Sequence, residues 1–418
     1  MLQQHKAIAI TCLHTNIRTE YSIRLLFAKL VANTCNDIIH KTFGHKHKIT
    51  MRIALIILIV IHGILHLFEF FKALGISEFN AISKAHGIFW FFTFILFTIS
   101  VILILIHSNY WLLSGFLAVI ISEVLILNYW SDAKFGTIAN IIILIAIIIG
   151  YSSFNFKQKV KTEKISLFEG AQAKNQDIIT DGEWIGLPPI VQKWLTKSGL
   201  IGKQRVSNVY LVQKLQLKLK PEQANWNKGM TEQYFTVDPP AFNWNIKTEM
   251  NPLLNIVGRD KFVDGKGEMI IKLLSLIPVA GANNNEKVNQ ATLQRYLAEI
   301  VWFPSAALSK YIKWETIDDY SARATMEFKG TKGAGVFHFD QNGNFEKFVA
   351  MRYQDSNAIK PTEWTVISTR TEERNGIKIP IECEASWKLE KGKWTWLKLK
   401  ITDIQHNVEE MPVANYHL

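Results

Sequence analysis

From about residue 53 to 150 the chain is almost wholly apolar, with Glu69, Lys72, Glu78, Lys84, Glu123, Asp132 and Lys134 as its only acidic, lysine or arginine side chains. A helix that crosses a bilayer needs roughly 20 apolar residues, because its backbone N–H and C=O groups must be satisfied within the segment. Four stretches meet that need: 53 to 73, 86 to 106, 110 to 130, and 136 to 151, the last being short unless it runs on past 153. Polar breaks separate them at 75–84, 107–109 and 131–134. Trp90, Tyr110, Trp111, Tyr129, Trp130 and Tyr151 stand where amphipathic rings favour a membrane interface, which supports the register of the spans. The pattern predicts a four-helix transmembrane domain over 51–153.

The pattern then changes. Residues 154–184 are rich in Lys, Gln, Glu and Asn and read as a linker or a membrane-proximal helix. Prolines at 188 and 189, followed by Ile190, Val191, Trp194 and Leu195, mark a short amphipathic helix that ends near Gly199. After Arg205 the apolar period becomes two, with Val209, Leu211, Leu215, Leu217 and Leu219 on one face of a strand. Further strands are predicted over 229–237, 242–249, 254–263, 267–275, 312–317, 321–328, 333–340, 344–354, 363–373, 377–389 and 393–405. Tight turns at Asp264-Gly265, Asn375-Gly376 and Lys391-Gly392 link neighbours. Connections this short build antiparallel meanders. Residues 290–309 carry Leu293, Tyr296, Leu297, Ile300 and Val301 at helical spacing, with Pro304 set to break or restart the helix. The expected fold is α+β: a transmembrane bundle, then a soluble unit over 185–407 made of a curled sheet or half-barrel with inserted helices, and a tail over 408–418.

Composition and charge refine this picture in two ways. A hydrophobic share of 48% with 20% charged residues averages over two solvents. Of the net charge of +11, about half lies in residues 1–52 and the rest is spread through alternating Lys and Glu after 157, with no arginine cluster among aromatics. Nucleic-acid binding is thereby disfavoured. Basic residues flank both ends of the bundle, so the positive-inside bias puts both ends, and the soluble unit, on the cytoplasmic side of the membrane; Lys72, Lys84 and Lys134 then lie outside. Residues 1–50 show neither a span nor a signal peptide, and Met51-Arg52 before the apolar run reads as a natural start. They are either an upstream extension or a short amphipathic arm. Of Cys12, Cys35 and Cys383, one falls in the soluble unit, which therefore cannot be stapled by an internal disulfide.

Candidate chemistry lies in two places. In the bundle, His62, His66 and Glu69 share a helix face at i, i+4 and i+7, and Glu123 sits well inside the third span. A carboxylate there must be protonated or paired, with His62 or His66 as possible partners. Metal or haem ligation, a proton relay and plain interhelical hydrogen bonding are the open readings; no metal or cofactor is assigned. In the soluble unit, Arg295 and Glu299 share one helical face, with Tyr296 and Trp302 in the same block. One reading makes Glu299 a general base and Arg295 an anion clamp, with Asp260 or Asp264 beside them. The alternative is an ordinary intrahelical ion pair. Trp226, Phe242, Trp244, Trp364, Trp387, Trp394 and Trp396 could line an apolar pocket or pack as core. No hydrolase, metalloprotease, phosphate-loop, dinucleotide or paired-cysteine motif is present.

The blocks GLPPIVQKWL (186–195), PAFNW (240–244), GRDKFVDGKGEM (258–269), LQRYLAEIVWFPSAAL (293–308), TEW (362–364) and NGIKIPIECEASW (375–387) together resemble the uncharacterised bacterial family DUF6544, formerly DUF6920. HGILH and NYWSDAKFGT (128–137) are similar to the N-terminal part of its membrane-bound members. The resemblance spans most of residues 51–405 and implies a family without an activity. The sheet pattern also resembles lipoprotein carriers of the LolA and LolB kind, which hold acyl chains in a half-open barrel. A membrane-tethered domain that binds a lipid or other apolar molecule, through Arg295, Tyr296, Glu299, Trp302, Trp244 and Trp364, is the leading expectation. A membrane-associated enzyme and a structural or partner-binding membrane protein are the competing classes. No protein partner is specified.

Overall fold

The computed structural model describes residues 45–75, 82–170, 177–249 and 254–412. The readings for 1–44 and for 413–418 lie outside them. The chain divides into two compact units, 1–150 and 151–418.

The first unit holds helices α1 (His45–Ala73), α2 (Lys84–Leu105), α3 (Trp111–Asn128) and the first part of α4 (Gly136–Gly170), with a single helical turn at Trp130–Ala133. All four are long and apolar enough to cross a membrane. Ser83 caps α2, its Oγ accepting from the His86 N–H at 3.3 Å. Small residues allow close packing in the way membrane helices favour. A Cβ on Gly87 would lie 2.4 Å from that of Ala73, and Gly115 faces Ile147 and Ser100. Large apolar side chains point outward instead, such as Phe68, Ile88, Leu113 and Ile138.

Polar groups are gathered inside the bundle. The Asn140 side-chain N–H₂ donates to Ser122 Oγ at 2.9 Å and to Glu123 Oε2 at 2.8 Å, and Thr137 donates to Glu123 Oε1 at 2.9 Å. His66 lies 2.8 Å from Ser122 Oγ through Nε2 and 2.9 Å from the His62 carbonyl through Nδ1. Since Nδ1 must donate to that carbonyl, Nε2 accepts from Ser122. His62 Nε2 is 2.9 Å from Asn140 Oδ1 and donates to it. Glu123 is therefore held by Thr137 and Asn140 rather than by an imidazole. Glu69 is set apart, bonded to Lys72 at 2.9 Å.

In the second unit α4 continues to Gly170, α5 covers Pro189–Lys197, and thirteen antiparallel strands form one sheet. The sheet is two meanders sharing a seam. Strands β1 (Asn208–Leu217), β2 (Asn227–Thr236), β3 (Ala241–Glu249), β4 (Asn255–Val263), β5 (Lys266–Leu273) and β6 (Ile277–Asn283) step outward to one edge. Strands β7 (Ile312–Asp318), β8 (Ser321–Phe328), β9 (Thr331–Phe339), β10 (Phe345–Arg352), β11 (Thr362–Arg374), β12 (Ile377–Leu389) and β13 (Gly392–His406) return from the other edge, and β13 pairs with β1. The chain must cross from the β6 edge to the β7 edge, and it does so through α6 (Glu286–Glu299) and two 3-10 turns, Ile300–Trp302 and Pro304–Leu308. The sheet curls around that crossing without closing. Positive φ at Asp264-Gly265, Lys329-Gly330 and Asn375-Gly376 gives the left-handed two-residue turns that tight hairpins need.

Alternation along the strands assigns each residue to a face. Toward α6 and the turns after it lies an aromatic core of Phe235, Phe242, Phe262, Tyr296, Phe303, Phe337, Phe348 and Trp194. On the opposite face of β1–β4 packs the polar end of α4. Val160, Lys164 and Phe168 recur at i, i+4 and i+8 and are buried, Phe168 against Tyr210, Val212 and Tyr234. Lys164 pairs with Glu232 at 2.6 Å. Glu163 binds Arg259 Nε at 3.0 Å and Lys261 at 3.1 Å, and Glu268 binds Arg259 at 2.5 Å and Lys261 at 3.1 Å.

Burial alone would raise the Glu268 carboxyl, but the hydrogen bonds and charges of Arg259 and Lys261 outweigh it and bring it down from 4.5 to about 2. A carboxylate depressed by folding contributes stability that is present above its unfolded pKa and lost as pH falls toward its folded one. Thermal melts of the full chain in detergent should therefore show stability falling from about pH 4.5 toward about pH 2, with Glu268→Gln flattening that part of the profile. Parallel profiles for the two proteins would rule Glu268 out as the source.

Candidate ligand-binding trough

α6 covers only part of the concave face. Beyond it, Leu215, Leu217 and Ile246 form an apolar floor, and Trp244, Val366, Trp394, Trp396, Leu397 and Leu399 are only half-buried around it. Register explains the grouping. Leu215 faces Leu399, Leu217 faces Leu397, and Thr231 faces Ile246, all on the side toward α6. The result is an apolar trough whose inner end is set by the flank of α6.

At that inner end charges collect. Arg295 donates through Nη1 to Asp260 Oδ2 at 2.7 Å and through Nε to Glu299 Oε1 at 2.9 Å, and Gln233 donates to Glu299 Oε2 at 2.7 Å. The guanidinium also lies over Trp244, 4.7 Å from its centroid, and Phe242, at 5.0 Å. These side chains are deep yet not sealed: Arg295 is 16%, Asp260 13% and Glu299 12% exposed. Burial pushes the Glu299 carboxyl above its usual range, against the pull of Arg295 and Gln233. Arg352, at the end of β10, lies over the rings of Trp364 and Trp387, and its Nε donates to the Ala291 carbonyl at 2.9 Å. Burial lowers its pKa to about 10, so it stays charged near neutrality. Two cations thus meet two carboxyl groups on a face whose other residues are largely apolar, with Gln233 beside them.

Of the residues singled out from sequence, Arg295, Glu299 and Trp244 come together here, and Trp364 joins them through Arg352. Tyr296 and Trp302 point the other way, into the core, where the Tyr296 hydroxyl donates to the Thr236 carbonyl at 2.9 Å and Trp302 Nε1 to that of Pro380 at 3.0 Å. Asp260 is the carboxylate beside Arg295, whereas Asp264 pairs with Lys329 at 2.5 Å. Arg352 and Gln233 escaped the sequence reading. Their signal was parity: Gln233 alternates with Phe235, and Arg352 with Phe348 and Ala350, so each is a polar residue at an inward position. Among the described residues no group of three or more His, Cys, Asp or Glu side chains is placed to hold a metal ion.

Fold and site together define a class: a curled, open antiparallel sheet with a partly charged apolar trough, on a chain that also carries four helices long and apolar enough to cross a membrane. The chain belongs to a family of unknown function, DUF6920, whose model matches residues 185–406, more than half of its length. No curated protein matches the sequence. Among solved structures it is similar to a DUF1329 family protein from Desulfovibrio piger, at 9% identity and a TM-score of 0.31 over 51% of this chain and 90% of that one. It is also similar to a LolA superfamily protein from Nitrosomonas europaea, at 11% identity and a TM-score of 0.30 over 53% and 94%. A third is a β-barrel-like DUF1849 protein from Brucella abortus, at 8% identity and a TM-score of 0.22 over 48% and 98%. These likenesses are loose.

Proposed function

We propose that this is a membrane-anchored binding protein whose soluble unit holds a lipid or other apolar ligand in the trough beside α6. One observation carries the reading: tryptophan and leucine side chains stay half-buried on a concave face, next to the buried floor of Leu215, Leu217 and Ile246. A curved apolar surface with a few convergent polar groups is the usual form of a small-molecule site. The positive-inside bias of the basic flanks favours the cytoplasmic side for the soluble unit, and Arg295, Glu299, Trp244 and Trp364 are the inner wall of the trough.

Native mass spectrometry of the full chain released from detergent tests this. The wild type should retain an adduct in the mass range of a lipid, and Leu399→Asp should lose most of it; bilayer lipids held by the helices are common to both and cancel. Equal adducts on the two proteins would refute the reading. The enzyme reading has one point in its favour, that Arg295 and Glu299 face the concavity rather than bulk solvent. Against Glu299 as a base, both of its oxygens already accept N–H donors.

A further inference from the structure

We infer that the ligand is an amphiphile with one anionic head group, a carboxylate or phosphate, seated on the unused edge of Arg352 with its chain along the trough. This rests on the trough reading above and names the chemistry of its ligand. Arg259 and Arg295, the other arginines buried against this sheet, each bind two carboxylates. Arg352 has none. Its Nε is taken by the Ala291 carbonyl, while both Nη groups lack a hydrogen-bond or ion-pair partner among the described residues. Asp260 and Glu299 are close enough to act on it through space but make their bonds to Arg295.

A guanidinium stacked on an indole keeps its N–H groups in its own plane, directed away from the ring, where they form a fork that matches two oxygens of a carboxylate or phosphate. The ring beneath carries a second N–H without an acceptor among the described residues, the buried Trp364 Nε1. Arg352 and the apolar trough share one face of the sheet, since Arg352 alternates with Ala350 and Ala350 pairs with Trp364, two residues before Val366. An uncharged lipid would fill the trough and leave the Nη edge of Arg352 without an acceptor. A cationic one has no acceptor to offer that edge.

The test uses the full chain in phosphatidylcholine nanodiscs, with energy transfer from tryptophan to 11-(dansylamino)undecanoic acid or to its methyl ester, empty discs being subtracted. The acid is expected to bind about tenfold or more tightly than the ester, the range a charged hydrogen bond supplies. Arg352→Gln should bring the acid down to the affinity of the ester and leave the ester unchanged. Trp364→Phe, which keeps the ring and removes the N–H, should shrink the preference, and it decides the matter if Arg352→Gln fails to fold. Equal binding of acid and ester by the wild type would overturn the head-group inference and leave the trough standing, whereas binding of neither would overturn both. Displacement of the acid by inorganic phosphate alone would show a small-anion site and overturn the amphiphile. Competition by phosphatidic acid in the disc supports the inference with a bilayer lipid as the source, and acid binding that phosphatidic acid leaves unchanged supports it with a free fatty acid.

Discussion

Arg259→Leu is expected to cost the soluble unit about 3–5 kcal/mol, the range found when one partner of a buried ion pair is removed. Arg259 is 1% exposed and stands between Glu163 of α4 and Glu268 of β5. Leucine would remove its charge and leave two carboxylates with Lys261 as their shared cation. Leucine also lacks the N–H groups that now donate to the Glu268 carboxylate and to the Glu268 carbonyl, the latter bound by Arg259 Nη1 at 3.0 Å. Urea unfolding of the full chain in detergent, followed by tryptophan emission, should show the soluble transition moving to much lower urea. A loss below about 1 kcal/mol would place Arg259 among ordinary surface ion pairs. Glu163→Gln, measured alongside, isolates the share that comes from the end of α4.

Gly267→Val is expected to destabilise the unit by about 2–3 kcal/mol, within the range of overpacked cores, and to shift α6 off the sheet. A Cβ at this position would stand 2.5 Å from Thr292 Oγ1 and 2.9 Å from the Val288 carbonyl oxygen. The second of these is helix backbone and cannot turn aside. Gly333 on β9 serves the same purpose on the opposite limb, where a Cβ would meet Gln294 and Leu293 at 2.8 and 3.0 Å. The two glycines let α6 settle between the limbs, and Arg295 reaches Asp260 only from that depth. Hydrogen exchange should show lost protection over α6, together with a lower melting temperature. Gly182→Ala is the control, since nothing among the described residues lies within 4 Å of its added Cβ, and it should change stability by less than about 0.5 kcal/mol. Unchanged exchange in α6 for Gly267→Val would mean that the helix does not depend on this seat.

Most of the sheet is legible in the sequence because one-sided burial imposes a period of two. The expected span 321–328 and the observed Ser321–Phe328 coincide, as do 377–389 and Ile377–Leu389. β6 was missed for the same physical reason. From Ile277 to Asn283 its residues are exposed or nearly so, and an edge strand with no buried face has no alternation to read. The helix expected over 290–309 starts earlier, at Glu286 with Asn285 as its cap, and ends in two 3-10 turns around Pro304.

Sequence by itself determined the division into two solvents, the four apolar helices, the strands with a buried face and the Arg295–Glu299 pair, since each follows from hydropathy or from spacing within a few residues. Only the tertiary structure decided that β13 returns to β1, that α6 crosses the concavity, and that Asp260 and Arg352 join Arg295 from strands far apart in the chain. Those outcomes depend on contacts between residues separated by scores of positions. Local period records which way a side chain faces, and it carries no record of what that side chain meets.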